Sequence, residues 1–220
     1  MGAESFVLIH STGQSPAGWE RVIAALERRG RAGLPVDLPS SDDLRAADYA
    51  ELIQRQAGDV ADPVVVAHSG AGALLPAAAR TLGAVRQVWV AAWVPDPRAA
   101  FLEEALDLVR PDWVGKDPIA DADVAVRFLY HDCDDATREW ALSTRREFLP
   151  RAVYHERIER ADDIPSTYVL CTRDRTITPD AQRRMARERL RVEPFDLDAG
   201  HCPNVSQPDR LAELLTQPPP

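Results

Sequence analysis

The sequence predicts a protein of the α/β class, in which helices cover both faces of a mainly parallel sheet. Short apolar runs alternate with longer helical patterns from the first residues onward, as in βαβ units. The run PVVVA at 63–67 is rich in β-branched residues and flanked by turn residues, which is typical of a strand buried on both faces. With 220 residues, 45% of them hydrophobic, the chain suits one domain with a large core. We therefore predict a single domain over residues 1–220.

The predicted elements alternate regularly up to residue 93. Apolar runs predict four strands, at 6–9, 33–37, 63–67 and 87–93. Helical periodicity predicts three intervening helices, at 16–29, 44–58 and 70–82. In the first of these helices the apolar side chains fall on one face, which would pack on the sheet.

The alternation stops between residues 94 and 164. Several helical segments occur there without a convincing strand, so we predict an inserted helical cap over about 95–164. The sheet then resumes with strands at 167–171 and 192–196. Helices at 179–190 and 208–215 follow these two strands. The result is a doubly wound sheet of about six strands.

Charge, hydropathy and cysteine content disfavour several classes of partner and location. A formal net charge of -9 makes the surface acidic, which disfavours binding to nucleic acid and to anionic membranes. Neither a basic leader before the first apolar run nor an uncharged stretch long enough to span a membrane is visible. The three cysteines, Cys133, Cys171 and Cys202, match no disulfide or zinc pattern, so a reducing cytoplasm is expected.

A nucleophile is predicted where the strand at 63–67 runs into the segment AHSGAG at 67–72 and then into a helix. This strand, sharp turn and helix is the context of a nucleophile elbow, in which Ser69 is the nucleophile. The small residues Ala67 and Ala71 allow the strained backbone to approach its neighbours closely. The turn aims the Gly70 N–H at the position where an oxyanion would form. A helix N-cap is the alternative role for Ser69.

Serine needs a base, because its hydroxyl stays protonated at neutral pH. Asp174 follows the strand at 167–171, and His201 follows the last strand. Loops that leave the carboxyl ends of parallel strands share one edge of the sheet, so Ser69, Asp174 and His201 can converge there. The alternatives are a surface role for His201 and a different carboxylate from the set Asp180, Asp196 and Asp198.

Further residues are candidates for the same site. The loop after the first strand should supply a second oxyanion donor, for which we select the Thr12 N–H. Trp93 and Tyr130 are the aromatic side chains expected to face substrate, and His68 either contacts substrate or packs inside the elbow. The row Tyr130, His131, Asp132, Cys133 indicates packing within the cap rather than a metal site.

Several segments together resemble the α/β-hydrolase superfamily, most closely its branch of plant methylesterases and hydroxynitrile lyases. They are FVLIH at 6–10, the elbow at 67–72, CTRD at 171–174 with Ile177 and Gln182 after it, and AGH at 199–201. The resemblance implies the α/β-hydrolase fold. It also implies that Ser11 lines the pocket, because esterases usually have glycine there and the lyases have a threonine that touches substrate. Cys202 stands where those lyases have a lysine, which disfavours a cyanohydrin lyase.

The predicted function is that of a serine hydrolase without metal or organic cofactor. Its substrate would be a small apolar or aromatic ester, thioester or lactone, cleaved through an acyl-enzyme. One alternative is a lyase, cyclase or dehydratase of the same fold that uses His201 as a base. The other is a catalytically silent protein that binds a small ligand. A homodimer is compatible with all of these functions.

Overall fold

A computed structural model describes residues 4–218 and shows in them a sheet of six strands. The strands are β1 (Ser5–Ile9), β2 (Ala32–Val36), β3 (Pro63–His68), β4 (Arg86–Val90), β5 (Ser166–Cys171) and β6 (Phe195–Leu197). Their order in the sheet is β2-β1-β3-β4-β5-β6, and each adjacent pair is parallel. The predicted parallel α/β architecture is thereby confirmed.

Helices cover both faces of this sheet. The α-helices within residues 4–218 are α1 (Glu20–Glu27), α2 (Ala46–Ala57), α3 (Leu75–Thr81), α4 (Phe101–Leu108), α5 (Ala122–Phe128), α6 (Asp135–Ser143), α7 (Arg151–Tyr154), α8 (Pro179–Arg184), α9 (Pro203–Ser206) and α10 (Pro208–Thr216). Alternate residues of β1 serve the two faces, since Val7 packs in a cluster with α2 and α3 while Leu8 packs with α1 and α10.

Four of these helices, α4 to α7, lie between β4 and β5. They fall within the range predicted for the cap, and no named strand interrupts residues 91–165. Whether residues 1–220 act as one domain stays a prediction of the sequence. No helix within residues 4–218 is long and apolar enough to cross a membrane. The three cysteines are free and buried.

Two strand ends differ from the prediction. β4 stops at Val90 instead of reaching residue 93, because the backbone of Ala91 adopts a φ of 42° and leaves the extended conformation. β6 begins at Phe195 instead of 192, because Pro194 has no N–H for the ladder. A left-handed Arg191 ends the preceding π-helix, Met185–Leu190, just before this strand.

Two predicted helices begin with a tighter turn. The helix predicted at 16–29 opens with the 3-10 turn Pro16–Trp19, and the one predicted at 70–82 opens with the 3-10 turn Ser69–Leu74. The second turn follows β3 directly. It begins at Ser69, whose φ of 60° lies in the left-handed region that a non-glycine residue enters only at a cost of about 1–2 kcal/mol.

Close backbone packing holds this strained turn in place. The Ser69 carbonyl accepts the Trp93 N–H at 3.1 Å. One turn further on, a Cβ atom placed on Gly72 would lie 2.0 Å from the Trp93 carbonyl oxygen. The elbow and the chain beyond β4 therefore touch backbone to backbone, and only glycine fits at position 72.

His68, the last residue of β3, is a buried side chain that connects this strand to the loop carrying His201. Its ring packs edge-on against Trp19, and its Nε2 donates to the carbonyl oxygen of His201 at 2.7 Å. Complete burial lowers the pKa of His68 to about 3, with a smaller contribution from the nearby imidazole of His201. His68 is therefore neutral in the folded protein at neutral pH.

Replacing Gly72 with alanine should destabilise the fold by about 3 kcal/mol or more, because the methyl group would collide with backbone rather than with a flexible side chain. Urea denaturation measures the change in the free energy of unfolding. Gly13→Ala is the matched control, since a Cβ there would meet Leu129 at an ordinary 3.8 Å. Equal, small losses in the two variants would contradict the packing described for the elbow.

Acidification should destabilise the protein through His68. Its pKa is lower in the folded than in the unfolded chain, so the stability it contributes is complete above pH 6.5 and is lost as the pH falls toward 3. In His68→Gln, the slope of unfolding free energy between pH 6 and pH 5 should shrink by up to about 1.4 kcal/mol per pH unit. Denaturant titrations at several pH values measure this slope. A wild-type slope in His68→Gln would contradict the assignment of this pH dependence to His68.

Candidate active site

A cavity of about 490 Å³ lies between the carboxyl edge of the sheet and the segment 91–165. The loops after β1, β3, β5 and β6 supply its polar wall, which comprises Ser11, Thr12, Ser69, Thr176 and His201. Most of the opposite wall is apolar, and it includes Trp93, Phe101, Leu108, Trp113, Leu129 and Leu149. Lys116, Asp117 and Glu147 also line the cavity. The polar side chains of the strand-end loops thus face a mostly apolar wall across the cavity.

The structure brings the Ser69 hydroxyl and the His201 imidazole into contact. Nε2 of His201 lies 2.8 Å from Oγ of Ser69, and both residues line the cavity. The strained turn at Ser69 directs its side chain away from the sheet edge. His201 lies in the loop that precedes α9, which begins two residues later. A hydrogen bond of this length allows the imidazole to take the hydroxyl proton.

Asp174 occupies the other side of the imidazole. Its Oδ2 lies 2.7 Å from Nδ1 of His201, and both side chains are almost completely buried. The rival carboxylates are engaged elsewhere or lie outside this contact. Asp196 pairs with Arg183, and Asp198 pairs with Arg173 at the surface. A continuous hydrogen-bonded path therefore runs from Asp174 through His201 to Ser69.

Two side chains that the sequence analysis did not assign to the site hold the Asp174 carboxylate. The Thr176 N–H and hydroxyl donate to its Oδ1 at 2.7 and 3.0 Å, and Gln182 Nε2 donates to its Oδ2 at 2.8 Å. Thr176 Oγ1 also lies 2.8 Å from Nδ1 of His201. Its single proton points to the carboxylate, so its lone pair faces the imidazole N–H. A hydroxyl residue two places after an aspartate was the available signal.

The two expected oxyanion residues lie side by side. A Cβ atom on Gly70 would be 3.1 Å from the Thr12 methyl group, and both residues line the cavity. The Thr12 N–H bonds to no other residue within 4–218, so it is available to a ligand. Gly70 has no room for a side chain, because its Cβ would lie 2.5 Å from the Tyr154 hydroxyl.

The four residues expected to contact substrate divide into two pairs. Ser11 and Trp93 line the cavity, and the Trp93 indole N–H is held by the Glu104 carboxylate, which pairs with Arg189 at 2.6 Å. Tyr130 does not line it, which corrects the expectation for Tyr130. His68 does not line it either, which agrees with the alternative that it packs inside the elbow. The His68 ring packs against the imidazole of His201, with 5.0 Å between the ring centres, and bonds to the His201 carbonyl oxygen.

Tyr130 packs instead in a small apolar cluster behind the site, with Ala125, Cys133, Cys202 and Val205. It follows the end of α5, and burial raises the pKa of its hydroxyl. The sequence pattern indicates an aromatic residue in this segment but does not determine the direction of its side chain. Phe101, Trp113 and Tyr154 take the positions in the cavity wall that we had expected Tyr130 to share.

Asp132 has a structural role near the site. Its Oδ2 accepts the Gly200 N–H at 2.6 Å, and its side chain is 1% exposed. The neighbouring His131 Nε2 bonds to the Arg173 carbonyl oxygen at 3.0 Å. The segment 130–133 therefore fixes the loop that carries His201. No group of three metal-ligating side chains occurs in the part of the chain from 4 to 218.

Comparison with known proteins places this geometry in a wider group. A relative from Aspergillus novofumigatus, the alpha/beta hydrolase nvfD, is 23% identical over an alignment that covers 96% of this chain and 94% of that protein. Polyneuridine aldehyde esterase has a similar structure, with a TM-score of 0.81 at 18% identity, covering 97% and 98% of the two chains. Tomato methylketone synthase I has a TM-score of 0.76 at 16% identity, covering 98% and 97%.

The two solved structures share the fold, as expected from the resemblance noted in the sequence. The family model described as "Alpha/beta hydrolase family" matches residues 6–214, which includes every residue of the hydrogen-bonded path. This chain belongs to the alpha/beta hydrolase family.

Proposed function

We propose that this protein is a serine hydrolase that cleaves carboxylic esters through an acyl-enzyme. The observation that supports this function is the path from Asp174 to His201 at 2.7 Å and from His201 to Ser69 at 2.8 Å, facing a cavity. Ser69 attacks the substrate carbonyl while His201 accepts its proton at Nε2. Asp174 keeps the Nδ1 proton in place and stabilises the imidazolium that forms.

The tetrahedral intermediate carries a negative oxygen, for which the Thr12 and Gly70 N–H groups are the proposed donors. His201 then returns its proton to the leaving alcohol, and the acyl group stays on Ser69. Water deprotonated by His201 attacks the acyl-enzyme and releases the acid. Each step uses the same imidazole, so its orientation by Asp174 matters throughout the cycle.

The proposed substrate is a small apolar or aromatic ester, thioester or lactone. A volume of about 490 Å³ holds a molecule of modest size, and aromatic residues such as Trp93, Phe101 and Trp113 supply an apolar surface. The name of the structural neighbour polyneuridine aldehyde esterase is consistent with ester cleavage. The charged residues Lys116, Asp117 and Glu147 interrupt this apolar lining.

A fluorophosphonate probe should label the wild type and leave Ser69→Ala unlabelled, because the probe forms its bond to an activated serine. Intact-mass spectrometry measures the added mass. The Ser11→Ala variant is the control and should still be labelled, since Ser11 lines the same cavity without contacting His201. Equal labelling of wild type and Ser69→Ala would exclude Ser69 as the nucleophile.

Thr176→Val should lower kcat/KM for an aryl ester about 10-fold, because it removes a donor to Asp174 and frees the imidazole to tilt. Steady-state kinetics with a chromogenic ester measures this ratio. Thr172→Val is the control, because the Thr172 hydroxyl makes only long contacts of 3.4 Å, with Leu197 and Asp198. Wild-type kinetics in Thr176→Val would remove Thr176 from the mechanism.

A non-hydrolytic reaction is the second candidate, in which His201 removes a proton from carbon in a lyase, cyclase or dehydratase. The observation that favours it is the Ser11 hydroxyl in the cavity wall, where it can orient an oxygen of such a substrate. The Ser69→Ala variant separates the two functions. A hydrolase loses its activity with the serine, whereas a base acting from His201 keeps a substantial part of it.

A further inference from the structure

Tyr154, the last residue of α7, places a phenol hydroxyl in the cavity wall. The residue is 7% exposed, and its hydroxyl makes no hydrogen bond to any residue in the described range 4–218. Because Tyr154 lines the cavity and its hydroxyl bonds to no protein group in this range, the hydroxyl can donate a hydrogen bond to a ligand. No motif in the sequence indicates this role, because Tyr154 lies in a short helix far along the chain from Ser69.

The surroundings of Tyr154 keep its hydroxyl protonated. The ring lies against Phe101, with 4.6 Å between the ring centres, in an apolar part of the cavity. Burial raises the pKa of Tyr154 well above that of a free phenol, with a smaller contribution from Tyr49. The hydroxyl is therefore protonated at neutral pH and can donate a hydrogen bond.

The position of this donor is specific. The Tyr154 hydroxyl lies only 2.5 Å from the point that a Cβ atom of Gly70 would occupy, and the Thr12 methyl group lies 3.1 Å from the same point. The hydroxyl thus stands against the α-carbon of Gly70, beside the two residues whose N–H groups are the proposed oxyanion donors. No side chain at position 70 screens it from a bound carbonyl group.

We propose that Tyr154 is a further catalytic residue, which donates a third hydrogen bond to the oxygen that becomes negative when Ser69 attacks. This role rests on the proposed hydrolase function. The proton stays on the phenol, so the step consists of one hydrogen bond that strengthens as charge develops on the carbonyl oxygen. It also gives a reason for glycine at position 70, since any side chain there would separate the hydroxyl from the substrate.

The experiment compares Tyr154→Phe with the wild type on a chromogenic aryl ester. The change removes one oxygen that bonds to no protein group, so thermal unfolding should be unchanged. We expect kcat to fall about 10- to 100-fold with KM within about 3-fold, because the bond forms mainly in the transition state. Tyr49→Phe is the control. Tyr49 is also buried, but its hydroxyl bonds to the Pro39 carbonyl oxygen at 2.8 Å, outside the cavity.

A second measurement tests the same bond without turnover. A trifluoromethyl ketone forms a tetrahedral adduct with a serine hydrolase, and its inhibition constant should weaken about 10-fold or more in Tyr154→Phe. An unchanged kcat and unchanged inhibition would overturn the proposal. A raised KM with unchanged kcat would also overturn it, because Tyr154 would then bind the ground state only.

These outcomes differ from a failure of the proposed function. If the wild type neither hydrolyses esters nor forms the ketone adduct, the hydrolase function itself is wrong. If the wild type does both and Tyr154→Phe does them equally well, only the role of Tyr154 is lost.

Discussion

The buried hydrogen bond between Asp174 and His201 is the interaction on which the rest of the site depends. A carboxylate without solvent is tolerated only when its lone pairs are filled, and here Thr176 and Gln182 fill them together with the imidazole. Gln182 also accepts the Cys171 N–H at the end of β5. The charge of Asp174 is thus satisfied by the strand and helix that flank its own loop.

The imidazole is fixed from further directions. His68 of β3 binds the carbonyl oxygen of His201, and Asp132 binds the N–H of the preceding Gly200. The loops after β5 and β6 are joined directly, since the Arg173 N–H donates to the Ala199 carbonyl oxygen at 3.0 Å. His201 therefore needs little reorganisation to face Ser69, which is the condition for efficient proton transfer.

The sequence predicted the sheet and the contacts at its edge well, because both follow from local patterns. Apolar runs locate strands, and parallel strands bring the loops of Ser69, Asp174 and His201 to the same edge whatever lies between them. The cap was less predictable. Tyr130 and Tyr154 are both buried aromatic residues of helical segments, and only tertiary packing decides that Tyr154 faces the cavity while Tyr130 packs behind it. Strand ends shifted where single backbone angles intervened, as at Ala91.

The bond between Asp132 and Gly200 has a consequence for how a substrate enters. Asp132 belongs to the segment above the sheet, whereas Gly200 belongs to the loop that carries the base. Swinging the whole segment away as one lid would pull on this loop and misalign His201. Entry and exit past wall residues that do not contact this loop would leave the base undisturbed. Substrate and product can then exchange while the hydrogen bonds from Asp174 through His201 to Ser69 stay intact.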